Sequence, residues 1–199
     1  MPVHSVVSSP DLDARSEGMP DPEAPHLSEP LFHIVLHEPE IPNNTGNIGR
    51  TCIATGCRLH LIHPLGFSTS EKACRRAGLD YWPRLRPVEH ADWSVFLESQ
   101  RPGSAWYFTT KAARPVWEAT LRPGDHLIFG KETAGLPEAI LGANPDRLIT
   151  LPMVPGERSL NLATAVCSAV YEGVRQCVGA GLLGLSPEGK LIRRGRNTP

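Results

Sequence analysis

The chain has 199 residues, 40% of them hydrophobic, which is the length of one domain or of one domain with a tail, with enough apolar material for a core without covalent staples. A net charge of −1 excludes a global positive field that would draw it onto nucleic acid, so any RNA-binding surface has to be a local patch. Five cysteines (Cys52, Cys57, Cys74, Cys167, Cys177) form no CxxC pair and fit free thiols in a reducing compartment; no apolar run reaches the roughly 18–20 residues of a membrane span.

In chain order, residues 1–30 are rich in Pro, Ser, Asp and Glu and read as a disordered N-terminal tail without a hydrophobic signal core, which makes cytoplasmic the expected location. Structure is expected to begin at LFHIVLH (31–37), an apolar strand bounded by prolines. NNTGNIGRTCIATG (43–56) predicts a turn feeding a helix that Gly56 closes, and RLHLIH (58–63) a second strand. His60 and His63 within it have no third ligand nearby, so no metal is expected. STSEKACRRAGLD (68–80) predicts a short helix capped by Ser68 or Ser70.

Beyond it, 91–100 predicts a helix, 104–110 and 126–130 strands, 136–142 a short helix, 147–153 a strand and 159–178 a longer helix. The polar, basic end reads as a loose tail from residue 181 to 199, leaving 31–180 as the folded domain. The alternation implies an α/β fold with a mainly parallel sheet covered by helices on both faces.

Two glycine-rich segments imitate phosphate loops. GAGLLG (179–184) matches GxGxxG, but it follows a helix instead of a strand, so it reads as a helix end. In GDHLIFGKET (124–133), Glu132 stands where a P-loop needs Ser or Thr for magnesium. What remains there is a strand ending in Gly130, where glycine lets a ligand approach the backbone.

Three loops stand out: EPEIPNNTGNIGRT (38–51), FGKETAGLPEAIL (129–141) and LPMVPGERSLNLATA (151–165). Each follows an apolar strand and enters a helix through Gly, Asn, Ser or Pro, and ligands of open α/β sheets collect at such strand ends. As an ordered set, from about residue 31 to 176, they resemble the three motifs of the SPOUT class of RNA methyltransferases. With LHEPEIPNNTGNIGRTC, RRAGLDYW, LPMVP and RSLNLATAVCSAVYE, the chain is similar to the TrmL/YibK-like branch of tRNA ribose 2′-O-methyltransferases. That resemblance implies a C-terminal trefoil knot, S-adenosylmethionine as methyl donor, a homodimer, and the wobble ribose (position 34, cytidine or modified uridine) of leucine tRNAs as acceptor.

The resemblance also assigns residues. Phe108, Gly130, Leu151, Ser159 and Leu160 fall on the cofactor pocket. Arg50 matches the family's catalytic centre; because a guanidinium holds its proton so firmly, a role in positioning phosphate and stabilising the developing alkoxide suits it better than general base. Asn47 and Ser159 join it as catalytic candidates. Asn44, Arg75, Arg76, Glu132, Arg158 and Asn161 are the expected RNA contacts, and Tyr171 the expected dimer contact. Bland readings stand beside these: Asn44 and Asn47 as helix or turn caps, Ser159 as a cap, Arg50 as a surface arginine.

Lys72, Arg75, Arg76, Arg84 and Arg86 surround Tyr81 and Trp82, a mixture that suits an anticodon loop or simply a solvated face. In the last helix Ala163, Val166, Val170, Val174 and Cys177 recur on one apolar face. Competing functions are methylation of another tRNA position or of rRNA, for which relatives usually carry a further RNA-binding domain that the first thirty residues are too short to supply, and a non-catalytic RNA-binding protein.

Overall fold

The computed structural model describes residues 29–70 and 81–193. At its centre is β1 (His33–His37), paired in parallel with β2 (Arg58–Ile62) on one side and with β5 (His126–Phe129) on the other. Beyond β2 lies β3 (Val88–His90); beyond β5 lie β4 (Ala105–Phe108) and β6 (Leu148–Ile149), giving six strands, every pair parallel. A strand buried on both faces needs a continuous apolar run, and 31–37 supplies one.

Successive residues of β1 serve different cores. Ile34 and Leu36 join one cluster with Ile48 and Cys52 of α1 (Pro42–Thr55) and Val166 and Val170 of α5 (Leu162–Gly179). The same cluster takes Trp82 and Leu85 of α2 (Trp82–Leu85). Val35 packs on the other face with Phe96 of α3 (Trp93–Gln100) and Ile140 of α4 (Glu138–Gly142). The chain runs outward from β1 through β2 to β3, crosses to β4 on the far side, returns to β5 beside β1 and ends at the other edge in β6. The loops after β1 and β5 feed helices on opposite faces of the sheet, α1 and α4, an arrangement that favours a site in the crevice at the carboxyl ends of these strands.

The small residues of α5 have a packing cause. A Cβ on Gly173 would lie 2.5 Å from the Phe32 ring, so only glycine lets the helix settle on that ring. Gln176 of the same helix accepts the Leu121 backbone N–H at 2.9 Å, tying α5 to the segment before β5.

Several expectations need correction. The last helix starts at Leu162, not 159, because Asn161 caps it: its Oδ1 accepts the N–H groups of Ala163 and Thr164. The strand β3 was not legible in VEH, which is short and half polar. The expected loose tail from 181 contains an antiparallel hairpin of β7 (Leu183–Leu185) and β8 (Leu191–Arg193), with Leu183 buried, so the ordered chain passes residue 180. Most of the helix expected at 68–80, with Arg75 and Arg76, lies outside the described residues, as do residues 1–28 of the expected tail. Among the described residues no group of His, Cys, Asp or Glu is disposed to hold a metal, and no helix is long and apolar enough to cross a membrane.

On the α3 face four histidines from four adjacent strands form a row. His33 Nδ1 meets His60 Nε2 at 2.9 Å, His60 Nδ1 meets His90 Nε2 at 3.1 Å, and the His126 ring stacks on His33 at 4.2 Å. A neutral imidazole has one donor and one acceptor, so the bonded chain is satisfied with every ring uncharged. Burial and the neighbouring imidazoles depress His60 to about 2; burial, then His33, depresses His126 to about 4. Unfolded histidine titrates near 6.5, so between that pH and the folded values the unfolded chain binds more protons.

Stability should therefore be complete above about pH 6.5 and fall by about 1.4 kcal/mol per pH unit for each such histidine as acid is added. Thermal melts from pH 7.5 to 5.0 should show this loss, and His126→Phe should reduce the slope by about one proton. An unchanged slope in that variant would contradict the assignment.

Candidate active site

The crevice is built by the three loops that leave β1, β5 and β6. Glu38 opens the first loop with φ +52°, a left-handed conformation that a non-glycine residue holds only when its surroundings enforce it. Its N–H donates to the Ile62 carbonyl at 2.9 Å, and its carboxylate accepts from Lys131 Nζ at 3.0 Å. That hydrogen bond and charge raise the Lys131 ammonium above its ordinary value. Glu40 then accepts both the backbone N–H and the hydroxyl of Thr133, at 3.1 and 2.8 Å.

The reciprocal contact comes from Glu132. Its carboxylate accepts the N–H groups of Glu40 (2.8 Å) and Ile41 (3.3 Å) and the Asn44 Nδ2 (2.9 Å). Helix α1 starts without a side-chain cap of its own and with Pro42 in its first turn, so Glu132 supplies the anion its N-terminus favours. Asn44 Oδ1 in turn accepts Asn161 Nδ2 at 2.9 Å, and Asn161 caps α5. A carboxylate that only accepts stands at one end and backbone N–H groups that only donate at the other, so both amide orientations follow from the chain of bonds.

Gly130 is required by the turn that follows. A Cβ there would lie 2.0 Å from the Gly135 carbonyl carbon, because 131–135 folds back over it, with the Gly135 N–H on the Lys131 carbonyl at 2.8 Å. Beside this turn lies a cavity of about 610 Å³, within the range of small-molecule sites. Phe108, Gly130, Leu151, Ser159 and Leu160, the five residues expected at a cofactor pocket, all line it. The Phe108 and Phe129 rings stack at 4.4 Å near its floor.

Asn44, Glu132, Arg158 and Asn161 also line the cavity. Of these expected RNA contacts, the Asn44, Glu132 and Asn161 side chains are bonded to one another, and Asn44 is buried. Only Arg158 is exposed with no such bond among the described residues. Ser159 is exposed and is not the helix cap, that place being taken by Asn161.

Arg50 and Asn47 do not line the cavity. Arg50 is exposed on α1 with its guanidinium carbon 5.0 Å from the Tyr81 ring centre, and the Tyr81 hydroxyl donates to the Gly46 carbonyl at 2.6 Å. Tyr171 is 52% exposed on α5. Sequence reasoning missed Thr109, Lys111, Phe129 and Met153 in the lining. Lys111, which pairs with Glu138, has no motif around it; the other three adjoin or lie close to residues already singled out.

Gly130→Ala should lower the unfolding free energy by about 1–3 kcal/mol, the usual penalty for forcing an extra carbon into packed structure. Gly142→Ala, where a Cβ meets open space, is the control and should cost under about 0.5 kcal/mol in the same urea titration. Equal stabilities for the two variants would contradict the close approach at Gly130.

Comparison with known proteins accords with this arrangement. The SpoU rRNA Methylase family model matches residues 31–171, from the start of β1 into α5. The tRNA (cytidine(34)-2′-O)-methyltransferase of Saccharophagus degradans is 49% identical over 152 residues, covering 76% of this chain and 99% of that protein. The enzyme of that name from Escherichia coli K12 is 48% identical, over 73% of this chain and 94% of its own. A structure solved to explain 2′-hydroxyl methylation of C/U34 on tRNA is 45% identical with a TM-score of 0.69, covering 74% of this chain and 97% of that one. The SpoU methyltransferase AviRb of Streptomyces viridochromogenes, solved with its cofactor AdoMet, is 25% identical with a TM-score of 0.63, over 75% of this chain and 59% of its own. A six-stranded parallel sheet, three interlocked strand-end loops and a family match that spans them lead to one conclusion: the chain belongs to the SpoU rRNA methylase family.

Proposed function

We propose that this protein transfers a methyl group from S-adenosylmethionine to the ribose 2′-hydroxyl of the wobble nucleotide, position 34, of leucine tRNAs, accepting cytidine or modified uridine. The observation that carries the reading is the pair of relatives named tRNA (cytidine(34)-2′-O)-methyltransferase, 48–49% identical over 94–99% of their own lengths. The cavity fits the donor: Phe108, Leu151 and Leu160 provide apolar walls for a purine, and the backbone of 130–136 borders the space. When bound there, S-adenosylmethionine supplies a methyl group already activated on a sulfonium.

The protein's tasks are then alignment and management of charge. Phe108, Gly130, Leu151, Ser159 and Leu160 would hold the donor. In the transfer the methyl–sulfur bond would break as the methyl–oxygen bond forms, and the sulfur would leave as the neutral thioether S-adenosylhomocysteine. The 2′-hydroxyl proton would pass to water, so that negative charge develops on the 2′-oxygen as its proton departs. Ser159, exposed on the rim and without a hydrogen-bond partner among the described residues, is available to bond the ribose hydroxyl. Arg50 stands outside the cavity lining, an argument for contact with RNA: its guanidinium, backed by the Tyr81 ring, steadies a phosphate and the developing alkoxide. Asn47 and Arg158, both exposed, are available to the RNA as well.

The same reading includes a homodimer and a cytoplasmic location. Val154, Leu160 and Tyr171 are 70%, 42% and 52% exposed, apolar surface that a second copy would cover. It also includes the C-terminal knot, to which the Gln176–Leu121 tie between α5 and the segment before β5 is relevant.

The test is incubation of the purified protein with labelled S-adenosylmethionine and unmodified total tRNA and rRNA, followed by mapping of the methylated ribose. Label at nucleotide 34 of leucine tRNAs is expected. Label elsewhere in tRNA or in rRNA would overturn the wobble assignment, and no label at all would favour a non-catalytic RNA-binding protein. Arg50→Ala should lose at least 100-fold in methyl transfer, the scale of one lost charge-stabilising donor, with donor affinity by calorimetry changed less than about twofold. Full turnover by that variant would remove Arg50 from the mechanism.

A further inference from the structure

The strongest feature that the proposed reaction leaves unused lies at the other end of the sheet. A hollow of about 660 Å³ opens beside the N-terminal ends of β4, β5 and β6, where Ser104, Asp125 and Arg147 sit. The connection from β4 to β5 adds Arg114, Glu118 and Arg122 to its wall. The Arg147 and Arg114 guanidinium carbons lie 4.9 and 6.0 Å from the centre of one indole, that of Trp106. Trp106 is 6% exposed and donates through Nε1 to Asp125 Oδ2 at 3.3 Å. The same oxygen accepts the Arg122 backbone N–H at 2.9 Å.

That geometry turns the one buried carboxylate inward. Asp125 is 5% exposed and engaged with an indole and a backbone amide, and it makes no direct ion pair with the arginines of the rim among the described residues. Among the described residues no carboxylate lies within ion-pair distance of Arg114, Arg122 or Arg147, although all three are exposed. Arg114 Nη1 donates to the Asp146 carbonyl at 3.1 Å, which fixes that side chain and leaves most of its donors open. Glu118 is the remaining exposed carboxylate of the wall, so three cations outnumber it in a chain whose net charge is −1.

We propose that this hollow is a second RNA contact, in which Arg114, Arg122 and Arg147 grip backbone phosphates of the tRNA away from the nucleotide being methylated. The proposal rests on the tRNA reading above. Guanidiniums stacked on a fixed indole have part of their ordering cost met before any ligand arrives, and their planar forks match phosphate oxygens. The hollow is open, and its arginines come from separate segments, which suits a chain of phosphates. Strands of four residues at about 3.3 Å each separate the two ends of the sheet by roughly 13 Å, a span that a tRNA bound at the crevice readily exceeds. Contacts of this kind position an RNA without reading its sequence.

The test uses the full chain carrying Arg122→Glu and Arg147→Glu, with tRNA binding by filter retention at several salt concentrations and methylation kinetics in parallel. The KM for tRNA should rise about 5- to 20-fold while kcat at saturating tRNA stays at the wild-type value. The slope of log K against log salt should flatten by roughly 0.7–0.9 for each phosphate that the variant no longer neutralises. If the double variant fails to melt cooperatively, Arg122→Gln alone, an exposed change, should flatten the slope by one such step. A folded variant with wild-type KM and slope overturns the proposal. So does loss of inorganic pyrophosphate binding with tRNA binding unchanged, which would make the hollow a small-anion site. If the wild-type protein retains tRNA but methylates nothing, the enzymatic reading fails while the slopes still decide the hollow; if it retains no tRNA, both fail.

Discussion

The site depends on one chain of hydrogen bonds that runs from the Glu132 carboxylate through the Asn44 and Asn161 amides into the first turn of α5. Its two side-chain links join residues 88 and 117 positions apart in sequence. Without the two amide links, the loops after β1 and β5 keep the crossed contacts of Glu38, Glu40 and Glu132, while the loop after β6 has no side-chain hydrogen bond to either among the described residues. A charge-assisted bond at one end and a helix cap at the other make the chain strong in a partly buried setting. The same low-dielectric setting makes it costly to break, because each member would leave another polar group without a partner.

The sheet explains why the chain forms where it does. Parallel order places every strand's carboxyl end on one side, and there the cavity lies against the segments after β4, β5 and β6, with Ile41 and Asn44 of the first loop in its wall. Apolar packing on both faces fixes the strands but does nothing to fix loops, so polar bonds take over at the strand ends. The two ends of the sheet differ in kind. The carboxyl end holds a cavity with apolar walls and internally satisfied polar groups, whereas the amino end holds exposed arginines whose nearby carboxylate faces inward.

Much of this was legible in the sequence because hydrophobic runs report burial directly. The runs at 31–37, 58–63 and 126–130 stand out for that reason, whereas the glycine at 130, read as room for a ligand, makes room for the chain's own backbone at 135–136. The bonding partners of Asn44, Glu132 and Asn161 were not legible: an asparagine on a loop reads equally as cap, turn or ligand, and only the folded chain brings loops this distant together. The histidine row escaped for a related reason, since His33, His60, His90 and His126 are scattered along the chain and meet only through strand register. The three arginines around Trp106 belong to no motif and gather only because the β4–β5 connection wraps the sheet edge.

The central claim is that three loops act as one binding surface because the amide chain couples them. A double-mutant cycle on Asn44→Ala and Asn161→Ala, read as S-adenosylmethionine affinity by calorimetry, tests it most directly. Either substitution alone should break the chain and weaken binding, and the second should then add little, giving a coupling energy of at least about 0.5–1 kcal/mol. Strictly additive losses, or two variants that bind the donor as tightly as the wild type, would contradict the account.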